Sequence, residues 1–113
     1  MPTTEDAKHT PGLGQLRTLF AGPPREFGIL PFWTWNDALE ESELLRQIHE
    51  MHAAGFGGFV PMPDLGLSRD TGYLTEEYFR LLRLCVKEAA SLGMIVILYD
   101  EAVSYTHLTL PTN

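Results

Sequence analysis

Basic residues are scarce in this sequence of 113 residues, which has 8 Lys and Arg against 15 Asp and Glu and a formal net charge of −7. Nucleic acids and anionic membranes are bound through clusters of Lys and Arg, and the basic residues here do not cluster. We therefore expect no nucleic-acid partner and no membrane partner. A neutral or cationic ligand is more compatible with the negative net charge of the chain.

Cysteine and long apolar runs are nearly absent as well. Cys85 is the only cysteine, so an internal disulfide is excluded, and its apolar neighbours predict a small buried thiol. No stretch reaches the roughly 18 apolar residues that a membrane span needs. The N-terminus lacks the basic start and apolar run of a signal peptide, so we expect a cytoplasmic location by default. Secretion stays open if the true N-terminus lies upstream of Met1.

Two nucleotide-binding motifs are also missing. A dinucleotide-binding G-x-G-x-x-G motif would directly follow the first strand, where Trp35-Asn36-Asp37 stands instead. The phosphate-binding pattern G-x-x-x-x-G-K-[ST] does not occur. Nucleotide binding is therefore disfavoured.

Three apolar runs alternate with two amphipathic segments in the rest of the sequence. Strands are predicted at 29–35, 57–62 and 94–99, because these runs are rich in branched or aromatic residues and bounded by Gly or Pro. Helices are predicted at 41–54, with Gly55 as the stop, and from the cap Thr75 to Gly93. In the second helix we expect Phe79, Leu82 and Val86 to form the apolar face.

This order of elements predicts an α/β fold class. A strand-helix-strand-helix-strand order requires crossover connections and a parallel sheet. Two parallel architectures fit, the open doubly wound sheet and the (β/α)₈ barrel, and both place their sites at the carboxyl ends of the strands. Residues 1–20 are interrupted by Pro and Gly and are interpreted as a mobile leader.

Four segments of the chain resemble one known family. They are residues 23–27, residues 31–36 with their Phe-Trp-Thr-Trp-Asn end, residues 47–59, and residues 92–101 with their Tyr-Asp-Glu end. Together they are similar to the start of the catalytic barrel in glycoside hydrolase family 106, the α-L-rhamnosidase-like enzymes. The resemblance implies that residues 21–102 are the first β-α-β-α-β units of a truncated (β/α)₈ barrel, which needs about 200 residues or more to close. It further implies that the chain is an inactive fragment of a glycosidase.

The last eleven residues are interpreted as foreign to the gene that encodes the rest of the chain. Residues 103–113, Val-Ser-Tyr-Thr-His-Leu-Thr-Leu-Pro-Thr-Asn, look like an in-frame translation of a sequencing-library adaptor, whose first bases would also complete the codon of Ala102. We therefore expect this tail to be non-native. The alternative is an ordinary polar C-terminal tail.

Polar and aromatic residues at the strand ends are the candidates for carbohydrate binding. Sugar sites combine aromatic faces with amides or carboxylates that bind hydroxyl groups. Trp33 and Trp35 share one face of the first strand and could line the mouth of a barrel, or they could pack in the core. Asn36 follows them. Asp64 follows the second strand, with a solvated loop position as the alternative.

Asp100 and Glu101 follow the third strand and are the candidate catalytic carboxylates. Glycoside hydrolysis needs two carboxyl groups about 5 to 9.5 Å apart, and adjacent residues on a strand rarely form such a pair. We therefore interpret Asp100 or Glu101 as a ligand for a substrate hydroxyl or a cation, or as a cap of the following turn. The catalytic pair is expected on later strands, beyond residue 102.

No metal or other cofactor is expected for this chain, although a cation in the full-length parent stays open. His49, Glu50 and His52 resemble part of a zinc motif, but H-E-x-x-H fails because position 53 is Ala53. A rival hypothesis is a complete, non-catalytic α/β module that binds carbohydrate or another partner through Trp33 and Trp35. Against it, an isolated three-stranded sheet would leave apolar surface on Phe59, Ile95 and Ile97 uncovered.

Overall fold

The computed structural model describes residues 10–100, and every structural statement refers to these residues. The elements are α1 (Leu13–Ala21), β1 (Phe32–Trp35), α2 (Glu41–Ala53), β2 (Gly58–Pro63), α3 (Glu76–Ser91) and β3 (Ile95–Val96), with 3-10 turns at Arg25–Phe27 and Arg69–Thr71. The strands form one parallel sheet in the order β1-β2-β3. The α/β class is confirmed. Within 10–100, no helix is long and apolar enough to cross a membrane.

Local sequence signals fix the ends of α2 and α3. Helix α2 ends at Ala53, and Gly55 follows with φ +89°, a left-handed conformation that glycine adopts without steric cost. Gly93 has φ +68° after α3 in the same way. At the start of α3, the Thr75 hydroxyl accepts a hydrogen bond from the Tyr78 N–H at 3.2 Å. These three predicted boundary residues are confirmed.

Replacing the cap residue Thr75 with alanine should destabilise the chain by about 1 kcal/mol, because the Tyr78 N–H loses its acceptor. Thr75→Ser keeps the hydroxyl and should retain most of that stability. The measurement is urea denaturation of the two variants and of the unsubstituted 113-residue chain, monitored by circular dichroism. Equal losses in both variants would show that the hydroxyl does not cap α3.

Strand β3 is shorter than the predicted 94–99, and two prolines in its neighbour explain the difference. The Ile97 N–H donates to Phe59 O at 3.1 Å, so the odd-numbered residues of β2 turn their backbone groups towards β3. The next two such residues, Pro61 and Pro63, have no N–H to donate. Regular pairing between β2 and β3 therefore stops at Phe59 and Val96.

Both tryptophans of β1 lie on the face of the sheet that the helices cover. Trp33 pairs with Pro61 and Trp35 with Pro63 across the two strands, and the same face carries Phe59. Helices α2 and α3 pack over it and close a core of buried residues: Trp33, Trp35, Leu44, Ile48, Phe59, Tyr78, Leu81, Cys85, Ala89 and Met94. The sheet therefore has one well-packed side.

The apolar face of α3 differs from the predicted one. Tyr78, Leu81 and Cys85 are buried against the sheet, whereas Phe79 and Val86 are 43% and 37% exposed. Both sets recur at helical spacing, so periodicity alone does not choose between them. The predicted stripe was wrong for Phe79 and Val86, whereas Leu82 is partly buried against the core. The buried residues Tyr78, Leu81 and Cys85 each lie one position before a predicted one, so the face of α3 turned to the sheet is rotated by about one residue.

The opposite face of the sheet is apolar and has no helix over it among the described residues. Phe32, Ile95 and Ile97 lie on this open face, and they are 64%, 44% and 49% exposed. The expectation of uncovered surface is met for Ile95 and Ile97. It was wrong for Phe59, which is fully buried because it faces the helices.

All but the last residue of helix α1 lie within the segment 1–20 that was interpreted as a leader. It begins at Leu13, and none of its residues is buried. Its apolar side chains are exposed, including Leu16 at 48% and Phe20 at 90%. The first nine residues of the leader, Glu101, Ala102 and the tail 103–113 lie outside the described residues.

Candidate functional site

The carboxyl ends of β1 and β2 meet at one edge of the sheet, as they do in parallel α/β proteins. Asn36 and Asp37 follow β1, and Asp64 follows β2. The Asp64 N–H donates to Trp35 O at 3.0 Å and so continues the pairing between the two strand ends. Asp100 lies four residues after the regular part of β3 and is exposed. Glu101 lies outside the described residues.

A close backbone approach holds the two loops at this edge together. Gly66 has φ +96°, and a Cβ built there would lie 2.3 Å from Asn36 O. The Ser68 N–H also reaches Asp37 O at 3.5 Å. The β2–α3 loop is thereby packed directly against the end of β1, which fixes the position of Asn36.

The carboxylates at this edge stabilise their own turns. Asp37 Oδ1 accepts the N–H of Ala38 at 2.7 Å, and Asp64 Oδ1 accepts the N–H of Leu65 at 2.7 Å. Each bond joins the carboxylate to the backbone N–H of the next residue, a local contact that helps to order the loop after each strand. Asp64 is half-buried, not fully solvated. Its role in the turn is thus observed, and a role towards substrate stays a prediction.

Trp33 and Trp35 pack in the core, which was the second of the two predicted positions. They are 8% and 2% exposed, and their rings meet edge to face at 5.4 Å. Trp33 also contacts Phe59, and Trp35 contacts Tyr78, in similar geometries. These contacts enclose the two rings, because both side chains point towards the helices and away from the face that carries Thr34. The described part of the chain therefore leaves no indole face free for stacking on a sugar ring.

A chain of hydrogen bonds runs from Trp33 along the outer side of α2. Trp33 Nε1 donates to Gln47 Oε1 at 2.7 Å, and Gln47 Nε2 donates to Glu43 Oε1 at 2.8 Å. Arg46 binds the Glu43 carboxylate through two N–H groups and also contacts Glu50. The hydrogen bonds from Arg46 and Gln47 lower the pKa of Glu43 to about 2. Glu43 therefore stays negatively charged at neutral pH.

This network borders a cavity of about 100 Å³ at the outer edge of β1. The cavity lies between the β1–α2 loop and the first turns of α2, and its lining includes Trp33, Trp35, Asn36, Asp37, Glu43 and Gln47. It adjoins the strand end at which Asn36 was expected to bind substrate. The geometry therefore places a small polar recess beside the predicted site.

The histidines of α2 do not form a metal site with their neighbours. Within 10–100, no three His, Cys, Asp or Glu side chains lie close enough to hold a metal ion. His49 Nε2 instead lies 2.6 Å from Glu88 Oε1 and links α2 to α3. His49 therefore contributes to the contact between the two helices.

Cys85 is fully buried, and burial raises the pKa of its thiol to about 12. The thiolate is the reactive form, so we expect Cys85 to react with a thiol reagent at about pH 8 at least about a hundredfold more slowly in the folded chain than in denaturant. Absorbance after addition of an aromatic disulfide reagent, with and without guanidinium chloride, measures both rates. Equal rates would mean that α3 does not cover the sheet in solution.

Asp37, Glu43 and Gln47 line the recess and were not predicted from the sequence. Asp37 could have been found, because it follows Asn36 directly at the end of a strand. Gln47 and Glu43 could not, because they reach the site from a helix, and their partners are fixed only by packing.

No protein-family model matches this chain, and no curated protein matches it at a significant level.

Proposed function

We propose that this chain is the first part of the (β/α)₈ catalytic barrel of a glycoside hydrolase that resembles family 106. The full-length parent would hydrolyse glycosidic bonds in oligo- or polysaccharides, with rhamnosides as the leading substrate class. The 113-residue chain alone would be inactive, because the remaining walls of the pocket and the catalytic carboxylates would lie on later strands.

One observation carries this proposal. Consecutive parallel strands bring Asn36 and Asp64 to one sheet edge, and Asp100 follows the third strand. Catalytic and binding groups of barrel enzymes lie at this edge. The exposed apolar face with Phe32, Ile95 and Ile97 also supports the proposal, since the interior of a barrel is filled by such side chains.

The chemistry of the edge suits a neutral, hydroxyl-rich substrate. Asn36 offers both an amide donor and a carbonyl acceptor, and the carboxylates of Asp64 and Asp100 accept hydrogen bonds from hydroxyl groups. None of these groups binds anions well. In this proposal all three residues position the sugar, and the proton-transferring pair lies beyond residue 102.

Hydrolysis of an aryl α-L-rhamnoside by the full-length parent tests the proposal. We expect turnover by the parent, none by the 113-residue chain, and a loss of about tenfold or more in kcat/KM for Asp100→Asn, which removes a charged partner of a substrate hydroxyl. Glu26→Gln, at the opposite end of β1, is the matched control and should be unaffected. Turnover by the 113-residue chain would contradict the fragment assignment. An unaffected Asp100→Asn parent would remove Asp100 from the site.

The rival module has one observation in its favour, which is the continuous core between the sheet and two helices. A core that includes two tryptophans, Phe59 and Ile48 can support folding without further strands. Sedimentation and thermal unfolding of the isolated chain separate the two proposals. A monomer with cooperative unfolding favours the module, whereas an associating chain with a broad transition favours the barrel fragment.

A further inference from the structure

Helix α3 carries a second apolar stripe beside the one that packs on the sheet. Phe79 and Val86 are exposed, and Leu82, which lies between them in sequence, is partly buried. From Leu81 on the buried side to Phe79 on the exposed side, the apolar arc of α3 spans roughly 160° at about 100° per residue. A helix that packs on one surface typically shows an apolar arc of about 100°. The extra width leaves room for a second packing partner.

The end of β3 turns this stripe into a groove. Val96 pairs with Phe59 and faces the helices, so Leu98, two residues later, lies on the same side of the sheet. Leu98 is 68% exposed. With α3 it borders a groove of about 240 Å³ that is lined by Phe79, Leu82, Arg83, Val86 and Leu98. At about 30 Å³ for each water-sized group, the groove takes roughly eight non-hydrogen atoms, or two leucine side chains.

The groove lies on the side of α3 that is turned away from α2. The polar contacts between the two helices involve Arg80, which binds Glu41, and Glu88, which contacts His49. Helical periodicity places Arg80 and Glu88 on the opposite flank of α3 from Phe79. Helix α2 therefore does not cover the groove.

The topology of the sheet determines which element would come next to α3. Helix α2 connects β1 to β2, helix α3 connects β2 to β3, and both pack on one side of the sheet. Crossovers between parallel strands are right-handed in about 98% of cases, so a further strand beside β3 would place its crossover helix on this same side. That helix would lie against the flank of α3 that α2 leaves free. Because Leu98 borders the groove, the chain leaves β3 next to it.

The charge of the groove favours an occupant with a carboxylate. Arg83 lines the groove and, unlike Arg46 and Arg80, forms no ion pair among the described residues. The lining includes no Asp or Glu. A second copy of the chain in a symmetric dimer would bring two Arg83 guanidinium groups together, and these would repel each other. An amphipathic helix with an acidic residue beside its apolar stripe suits the groove better.

We propose that this groove is the docking site of the helix that follows β3 in the native protein, beyond residue 102. Two apolar side chains of that helix fill the space between Phe79, Val86 and Leu98, and an Asp or Glu of the same helix pairs with Arg83. The inference rests on the fragment part of the proposed function and not on the chemistry of its site. It gives the exposed stripe of α3 a role in packing between two helices.

Thiol labelling at two neighbouring positions of α3 tests whether the groove is covered. Val86→Cys places a thiol in the groove, and Lys87→Cys, the matched control, places one on the exposed side of the same helix. Both variants are made in the 113-residue chain and in the full-length parent, and maleimide labelling is followed by mass spectrometry of the peptide that contains the new thiol. We expect the ratio of the Val86→Cys rate to the Lys87→Cys rate to be at least about tenfold lower in the parent.

Photo-crosslinking in the parent identifies the occupant. Benzoylphenylalanine in place of Phe79 keeps an aromatic side chain in the groove and joins it, on illumination, to the segment that it contacts. We expect the crosslinked peptide to come from the first helix encoded after codon 102. Arg83→Glu, which repels a carboxylate on that helix, should reduce the yield about threefold or more. A crosslink to another segment or to a second molecule, or no crosslink, would overturn the proposal.

The outcomes separate this inference from the glycosidase proposal. An unchanged ratio of labelling rates in the parent would overturn the docking site even if the parent hydrolyses rhamnosides. A lower ratio with the expected crosslink in an inactive parent would support the docking site and reject the hydrolase. A native gene that ends after codon 113 would reject the docking site together with the fragment assignment, since no further helix would then follow β3.

Discussion

Replacing Gly58 with alanine should cost about 3 kcal/mol or more of stability and separate β3 from the sheet. Gly58 pairs with Ile95 in one of the two register pairs that join β2 and β3, the other being Phe59 with Val96. A Cβ built at Gly58 would lie 1.8 Å from Ile95 O, and this atom belongs to the backbone, so no side-chain rotation relieves the overlap. Thermal and urea denaturation monitored by circular dichroism measure the loss.

A matched control for Gly58→Ala is available in α1. A Cβ at Gly14 would meet nothing within 4 Å, and alanine favours a helix over glycine by up to about 1 kcal/mol. Gly14→Ala should therefore leave the main transition unchanged. If the Gly58→Ala variant unfolded at the same urea concentration as the unsubstituted 113-residue chain, the pairing of β2 with β3 would be wrong.

Replacing Phe59 with alanine should cost about 3 to 5 kcal/mol, the range for an aromatic side chain lost from a core. Phe59 is fully buried, and its ring meets that of Trp33 edge to face at 5.1 Å. Its removal leaves a cavity between the sheet and the two helices, which the rigid rings around it cannot fill. We expect the denaturation midpoint of Phe59→Ala to fall, and the fluorescence of Trp33, whose ring contacts Phe59, to change in the same variant.

Phe32→Ala is the corresponding substitution on the other face of the same sheet. Phe32 is 64% exposed and contacts Tyr99 at a ring distance of 6.1 Å. Its loss should cost less than about 1 kcal/mol. Equal costs at positions 32 and 59 would show that both faces are covered in solution, and would contradict the one-sided packing of the sheet.

The local signals in the sequence were sufficient to predict the helix ends and the alternation of elements. Gly55, Thr75 and Gly93 act through backbone conformation or a single hydrogen bond, which depend on few neighbours. The choice of buried face on α3 depends on how the helix sits over β2. Two apolar stripes of similar hydropathy run along α3, one with Phe79 and one with Tyr78. The sequence alone therefore could not predict which of them is buried.

The length of β3 and the direction of the tryptophans depend on partners far away in sequence. The apolar run at 94–99 has the pattern of a buried strand, but Pro61 and Pro63 in its neighbour end the regular pairing after Val96. Alternation along β1 predicted that Trp33 and Trp35 share a face. It could not predict that this face is the one under α2 and α3, because the same alternation fits either side of a sheet.

The placement of the tryptophans changes how the proposed site holds a sugar. With both indole faces enclosed, the proposed binding of a sugar at this edge would depend on the polar groups of Asn36, Asp64 and Asp100 at the strand ends. Aromatic stacking, if the parent enzyme uses it, would come from other parts of the protein. Substitutions of Trp33 and Trp35 by alanine should therefore first reduce stability.

If residues 21–102 are the start of a longer barrel glycosidase, as we propose, the native coding sequence has to continue beyond codon 101. Long sequencing reads from the source DNA across this point would show which codons come after those of Tyr99-Asp100-Glu101 in the gene. We predict that the frame continues into further strand-helix units and that the codons for 103–113 are absent. A native gene that encodes Val103 to Asn113 and then stops would contradict the claim and leave the small binding module as the function to pursue.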